Sequence, residues 1–397
     1  MQRTTGWEQR LDRWLAPFVQ ALGRKGRDKW ASLYVTGLLL PAERKSITPI
    51  SARVAPEDSD QLNHFIAAST WDTAPLEHVL CEKADAMLGG DDAHLIIDDT
   101  GIPKKGKKSV GVAHQYCGAL GKNANSQCFV SVTLARNDIA APIGLRLFLP
   151  ESWTSDRKRC DAAKVPTNVR HRPKWRIALD EIDRVIESGV RFGEVLADAG
   201  YGACGEFRRE LSERNLTWSV GILRTQYVYA LGTTIRLPRS AKLGRRRTRQ
   251  LPSRHPVAAD AFIERHARFR KLTWRHGTKG ALSGDFALVR VLPADGPETI
   301  GHRHLPGEPA WLVCERRPDE MKYYLSNLPA TASERDVVRS IKARWSCELV
   351  HQQLKEELGL DHFEGRSWHG VHHHALFTMI AFAFLQENRL RENKSAA

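Results

Sequence analysis

The sequence predicts an α/β protein with an all-α front end, and three patterns lead to that class. Apolar residues at helical spacing fill residues 7–88. Short apolar runs bounded by Gly, Pro and Asn take over from Ala93. A helix-patterned segment, Lys174–Ser188, then runs into the buried-strand pattern Glu194–Ala197. Strands followed by helix, strand, helix and strand make an α/β core with a mixed sheet.

Taken in order, Leu11, Leu15, Phe18, Val19 and Leu22 recur at helical steps over Trp7–Leu22, and Gln61–Ala68 and Leu76–Leu88 follow suit. Four strands are expected next, at His94–Ile97, Ser109–Tyr116, Gln127–Ala135 and Pro142–Leu149. Lys174–Ser188 carries Trp175, Ala178, Leu179, Ile182, Val185 and Ile186 on one face. Arg208–Asn215 reads as the following helix and Thr217–Leu223 as the following strand. The pattern then breaks, which marks an insertion. Its first part holds Arg236, Arg239, Lys242, Arg245, Arg246, Arg247, Arg249 and Arg254 with no acidic residue among them, and its second part, Phe286–Leu292, Ala310–Cys314 and Met321–Leu325, is strand-like. A capping box at Thr331 and Glu334 opens a long helix through about Leu358, and Ala375–Leu390 is a last apolar helix.

Composition narrows the class of partner. The 397 residues carry 60 Lys+Arg against 46 Asp+Glu, a formal charge of +14, and 42% apolar with 27% charged residues lies in the globular range. Such a chain is not a disordered polycation, and its excess charge points to an anionic partner. Trp30–Ala42 and Ala375–Leu385 are interrupted or too short for the roughly 20 residues of a membrane helix. No basic patch followed by an apolar core opens the sequence, so no export signal is read. Seven scattered cysteines without a Cys-x-x-Cys pair fit free thiols, and the expected location is cytoplasmic.

Three carboxylates stand out. Asp98 is expected to end one apolar strand and Asp198, before Ala199-Gly200-Tyr201-Gly202, another. Ligands gather at such strand ends. If the two strands are neighbours, their anionic oxygens converge and repel unless a proton or cation sits between them, and hard oxygen donors favour Mg²⁺ or Mn²⁺. On the long helix, Val338, Ile341, Trp345 and Leu349 form an apolar stripe, and Arg344, Glu348, Gln352 and Lys355 a polar one. Cations flanking an acid suit a phosphate-bearing ligand. Each residue also has a plainer reading: turn or cap for the aspartates, with Asp99 competing with Asp98, and a solvated ion-paired face for Glu348.

The stretches Ile97-Asp98-Asp99-Thr100-Gly101-Ile102-Pro103-Lys104-Lys105-Gly106, Ser109-Val110-Gly111-Val112, Gln115-Tyr116-Cys117-Gly118, Leu120-Gly121-Lys122 and Ala197-Asp198-Ala199-Gly200-Tyr201-Gly202 resemble DDE-type transposases of bacterial insertion sequences. So do Lys322-Tyr323-Tyr324-Leu325-Ser326-Asn327-Leu328-Pro329 and Gly359-Leu360-Asp361-His362-Phe363-Glu364-Gly365-Arg366-Ser367-Trp368, and the likeness runs from about residue 7 to 390. The resemblance implies a ribonuclease H-like catalytic core in which a mostly β insertion separates the second aspartate from the glutamate. It divides the chain into a helical domain (1–90) for DNA-end binding or assembly, the first part of the core (91–225), a basic β-rich insertion (226–330) and the C-terminal part of the core (331–397). Asp98, Asp198 and Glu348 would be the catalytic residues and the ligands of two Mg²⁺ or Mn²⁺ ions. The branch's Tyr-x2-Arg-x3-Glu-x6-Lys signature is matched by Arg344, Glu348 and Lys355, with Ile341 in the tyrosine position. The reaction implied by the resemblance is cut-and-paste transposition: hydrolysis at terminal inverted repeats, then attack of the freed 3′-hydroxyl on target DNA, by a homodimer holding double-stranded DNA.

Lys104, Lys105, Lys107 and Lys108 follow the first aspartate and are read as a DNA path or a solubilising loop. Arg245, Arg246 and Arg247, within the acid-free run, are stronger candidates for phosphate contact, together with Arg344 and Lys355. Trp274 could meet a distorted base, though packing suits it better, with Arg275 and Lys279 nearby in sequence. His362, His369 and His372–His374 lack metal-ligand spacing and are read as packing residues, and Cys347 beside Glu348 is not read as a nucleophile. The rival readings are a metal-dependent nuclease without strand transfer and a DNA-binding protein that has lost catalysis.

Overall fold

The computed structural model describes residues 6–237, 248–277, 280–299 and 303–396. Helices α1 (Gly6–Ala21), α2 (Arg27–Leu39), α3 (Ile47–Val54), α4 (Ser59–Asn63) and α5 (Ala74–Leu88) precede strands β1 (Gly90–Pro103), β2 (Ala113–Cys117), β3 (Lys122–Arg136) and β4 (Ile139–Leu147). Next come α6 (Glu151–Thr154), α7 (Arg157–Ala162), α8 (Lys174–Glu187), β5 (Phe192–Ala197), α9 (Ala199–Gly202), α10 (Gly205–Glu213) and β6 (Trp218–Ile222). The chain continues through β7 (Tyr227–Ala230), β8 (Ile235–Arg236), β9 (Leu251–Pro252), β10 (Val257–Ala258), α11 (Ala259–His266), β11 (Arg270–Gly277) and β12 (Gly280–Pro293). It closes with β13 (Glu298–Thr299), β14 (Arg303–His304), β15 (Ala310–Arg316), β16 (Met321–Ser326), α12 (Glu334–Ala343), α13 (Trp345–Glu356) and α14 (Trp368–Ala396). Two compact units result: Met1–Phe192 with Trp345–Ala397, and Gly193–Arg344. Each combines helices with sheet, in keeping with the α/β class.

In the first unit β3 pairs antiparallel with β1, β2 and β4. β2 is shorter than the run Ser109–Tyr116 because Gly111, at φ 74°, turns the chain ahead of it. α14 packs on β4, α2 and α5, and every residue from Val371 to Phe384 is buried, so the helix is enclosed on all sides there. It starts before Ala375 because His372, His373 and His374 are themselves in the core. On α8, Ile177, Ala178, Leu179, Ile182 and Val185 are buried, while Ile186 is turned to solvent. Glu181 takes an inward position and binds Arg146 of β4 at 2.8 Å and Arg184 at 3.0 Å; Arg146 also reaches Glu77 of α5 at 2.9 Å. Burial alone would raise the Glu181 and Glu77 carboxyls, but Arg146 and Arg184 outweigh it and hold both below the ordinary range.

In the second unit the strand order is β10-β7-β12-β15-β16-β6-β5, with β11 on β12. β5 and β6 run parallel and the other pairs of this sheet antiparallel, which makes it mixed. α12 covers it through Val337, Val338 and Ile341, packed on Phe286, Leu288 and Val313. Trp274 packs at the edge of that core, its ring 5.8 Å from Phe286, so packing is the role it shows. Glu194 of β5 accepts from Ser219 of β6 and Ser340 of α12, each at 2.5 Å, and burial pushes its carboxyl up.

The single long helix expected through Leu358 is two helices, α12 and α13, interrupted at Arg344. The positions α12 buries (Val337, Val338, Ile341) and those α13 buries (Cys347, Val350, His351, Leu354) lie about half a turn apart on one helical wheel. The cap also differs: Ser333, not Thr331, accepts from the Asp336 amide at 3.2 Å and donates to its carboxylate. Among the described residues no helix is long and apolar enough to cross a membrane.

Candidate active site

β1 continues to Pro103, so Asp98 lies inside a strand and does not end one. Ten residues of β1, His94–Pro103, pair with β3, and Thr100, Gly101 and Ile102 beyond Asp98 are buried in the same ladder. Asp98 stands opposite Ser131. Strand alternation sends Asp98 and Asp99 to opposite faces. Asp99 forms an ion pair with Lys174 at the start of α8. Burial would depress the Lys174 ammonium, but Asp99 and Cys128 hold it above its ordinary value. The half-buried Asp98 faces α13 instead: its Oδ1 accepts the Asp99 amide at 2.8 Å and its Oδ2 the Cys347 thiol at 3.1 Å.

That thiol places Glu348. α13 packs against β1, β3 and β4, Cys347 is fully buried, and Glu348, the next residue, is exposed. The expected apolar stripe does not persist here, since Trp345 is 41% and Leu349 37% exposed. The inward stripe is Cys347, Val350, His351 and Leu354, whose spacing was present in the sequence and is the signal that locates α13. The structure thus brings Asp98 together with the segment carrying Glu348 in one unit.

Asp198 belongs to the second unit, where it ends β5 as the sequence suggests. Its Oδ1 accepts the Gly200 amide at 2.9 Å and caps the short helix α9. The close packing there needs small residues: a Cβ at Gly202 would lie 2.1 Å from the Gly221 carbonyl. Asp198 therefore fulfils the cap role and keeps its strand-end position.

By donor type the carboxylates of Asp98, Asp198 and Glu348 suit a hard divalent cation, and the bonds from the Asp99 amide and the Cys347 thiol to Asp98 are of the kind that orient a coordinating carboxylate. Among the described residues no group of three or more His, Cys, Asp or Glu side chains is gathered as a metal centre.

The basic candidates fall into three sets. Lys104 Nζ donates to the Phe363 carbonyl at 2.7 Å and the Asp361 carbonyl at 3.3 Å, strapping the end of β1 to the segment after α13; burial pushes it down to about 8 against the pull of Asp361 and Glu364. Lys355 is half-buried and lowered by burial, while Lys105 is exposed. Arg344, half-buried, ends the second unit. Arg245, Arg246 and Arg247 lie outside the described residues, as do Arg239, Lys242 and Lys279.

The histidines pack. His373 stacks on Trp71 at 3.7 Å, His374 binds the Tyr34 hydroxyl at 2.8 Å, and His372 Nδ1 lies 2.8 Å from the Trp368 carbonyl. Burial drives all three down to about 4. The seven cysteines are thiols, with no disulfide among the described residues.

Residues 17–281 match the family described as DDE superfamily endonuclease. Over 196 residues the chain is 33% identical to a protein of Microchaete diplosiphon named as a probable transposase for insertion sequence element IS701. That similarity spans 49% of this chain and 49% of the relative, about half the length of each.

Proposed function

The chain belongs to the DDE superfamily endonucleases, and from that premise we propose that it is a DNA transposase of an insertion sequence, acting by cut-and-paste on terminal inverted repeats. The observation that carries the reading is the contact between Cys347 and Asp98, which sets the helix bearing Glu348 against the strand bearing Asp98. Asp98, Asp198 and Glu348 are assigned as ligands of two Mg²⁺ or Mn²⁺ ions in a ribonuclease H-like core. Bound there, the cations would supply Lewis-acid activation of water and stabilisation of the leaving oxygen.

The chain's own groups do the rest. Asp98, oriented by the Asp99 amide and the Cys347 thiol, presents a fixed carboxylate, and Glu348 stands exposed where DNA can approach. Lys105, Lys355, Arg344 and the run Arg245–Arg247 are assigned to backbone phosphates, and Lys104 ties the end of β1 to the Asp361 and Phe363 carbonyls. Hydrolysis adds water across one phosphodiester and leaves a 3′-hydroxyl; that hydroxyl then displaces a target-strand oxygen, exchanging one phosphodiester for another. Handling two element ends together assigns a homodimer to the working complex, in the cytoplasm.

The test is cleavage of a labelled duplex carrying the element's terminal repeat, with Mg²⁺ or EDTA, by the wild type and Glu348→Gln. Metal-dependent 3′-end cleavage that the variant lacks, followed by joining to target DNA, supports the transposase. Cleavage without joining favours a nuclease, and selective binding without cleavage under any metal favours a binding protein.

A further inference from the structure

α13 meets the Asp98 strand through two side chains one helical turn apart. Cys347 donates to Asp98 Oδ2 at 3.1 Å. His351, on the same helix face, lies with Nε2 2.8 Å from Ser131 Oγ. Ser131 gives its one hydroxyl proton to the Asp98 main-chain carbonyl at 3.0 Å. With that proton given to the carbonyl, the tautomer that completes the chain carries its hydrogen on His351 Nε2. One turn of helix holds Asp98 twice, by its carboxylate and by its backbone, and Glu348 sits beside the first of those holds.

The donor at the carboxylate is chemically apt. A thiol is a weak, uncharged donor, so it orients the oxygen without itself neutralising it.

We propose that Cys347 and His351 are positioning residues that fix the Asp98 carboxylate, and with it the start of the Glu348 helix, for a divalent cation. The inference rests on the metal-dependent reading of the site. Neither side chain is assigned a contact with DNA or with reacting atoms. Donors behind metal-binding carboxylates commonly set affinity by about 10–100-fold.

The experiment titrates Mn²⁺ calorimetrically into the metal-free, full-length protein and measures the Mn²⁺ dependence of duplex cleavage. It compares the wild type with Cys347→Ala, Cys347→Ser, His351→Phe and His351→Gln. Cys347→Ala and His351→Phe should weaken Mn²⁺ binding about tenfold or more and move the half-activating Mn²⁺ concentration by the same factor. Metal-free duplex affinity should stay unchanged. Cys347→Ser and His351→Gln, which keep a donor, should recover to within about threefold of wild type. Wild-type Mn²⁺ affinity in Cys347→Ala, or a serine variant as weak as the alanine one, overturns the proposal. Should Cys347→Ala fail to fold, the two His351 variants decide by the same comparison. Mn²⁺ binding equally to wild type and Asp98→Asn would instead remove the metal reading, and the positioning role with it.

Discussion

Lys174, the first residue of α8, pairs with Asp99 across from the face on which Cys347 meets Asp98. Asp99 is committed to a structural ion pair on one face of β1, and Asp98 to α13 on the other. Asp98→Asn should reduce metal-dependent cleavage to background with duplex binding retained. Asp99→Asn, which leaves the Lys174 ammonium half-buried beside a neutral amide, should lower stability by about 1–2 kcal/mol with cleavage retained. Urea unfolding and the cleavage assay, run on both variants, check the exchange of roles.

Lys104 and Lys105 are neighbours with different surroundings. Lys105→Ala should reduce the slope of log affinity against log salt by about 1. Lys104→Met should leave that slope unchanged, because its ammonium is occupied by the Asp361 and Phe363 carbonyls. It should instead speed hydrogen exchange in residues 360–364. A slope change of the same size in both variants would make Lys104 a phosphate contact as well.

The core histidines make stability fall in acid. Their folded values, about 4 for His372, His373 and His374, lie below the ordinary 6.5, so between those limits the unfolded chain binds more protons than the folded one. Stability present above pH 6.5 is lost as pH drops toward 4. Unfolding free energies at pH 7 and pH 5 should differ less for His373→Gln than for the wild type; equal differences would exclude His373 from the effect.

Glu181 joins two guanidinium groups inside the first unit. Glu181→Ala leaves Arg146 and Arg184 with one fewer carboxylate in a buried network, and the expected loss is about 3–5 kcal/mol. Denaturant midpoints measure it. A loss below about 1 kcal/mol would place the network among surface-like pairs.

Local pattern made the elements legible: Lys174–Ser188 and Met321–Leu325 appear almost at their expected bounds, as α8 and β16. What local pattern does not carry is a partner distant in sequence. β1 outlasts its apolar run because β3 supplies pairs through Pro103, so Asp98 moved from the end of a strand to its interior. Lys174 is remote from Asp99 in sequence, and nothing in either segment announces the other. The helix break at Arg344 was legible in principle, since the stripe at Cys347, Val350, His351 and Leu354 competes with the one at Trp345 and Leu349. Both have helical spacing, and only packing against β1, β3 and β4 chooses.

Asp98 is the fifth of the ten residues of β1 that pair with β3. An amide at the middle of such a ladder exchanges with solvent only when the paired strands open as a whole, whereas those near its ends exchange by fraying. The backbone beneath this carboxylate is thus among the slowest parts of the first unit to move. Any rearrangement that admits or releases a DNA strand falls to the segments around it, and the aspartate remains the fixed point against which they are measured.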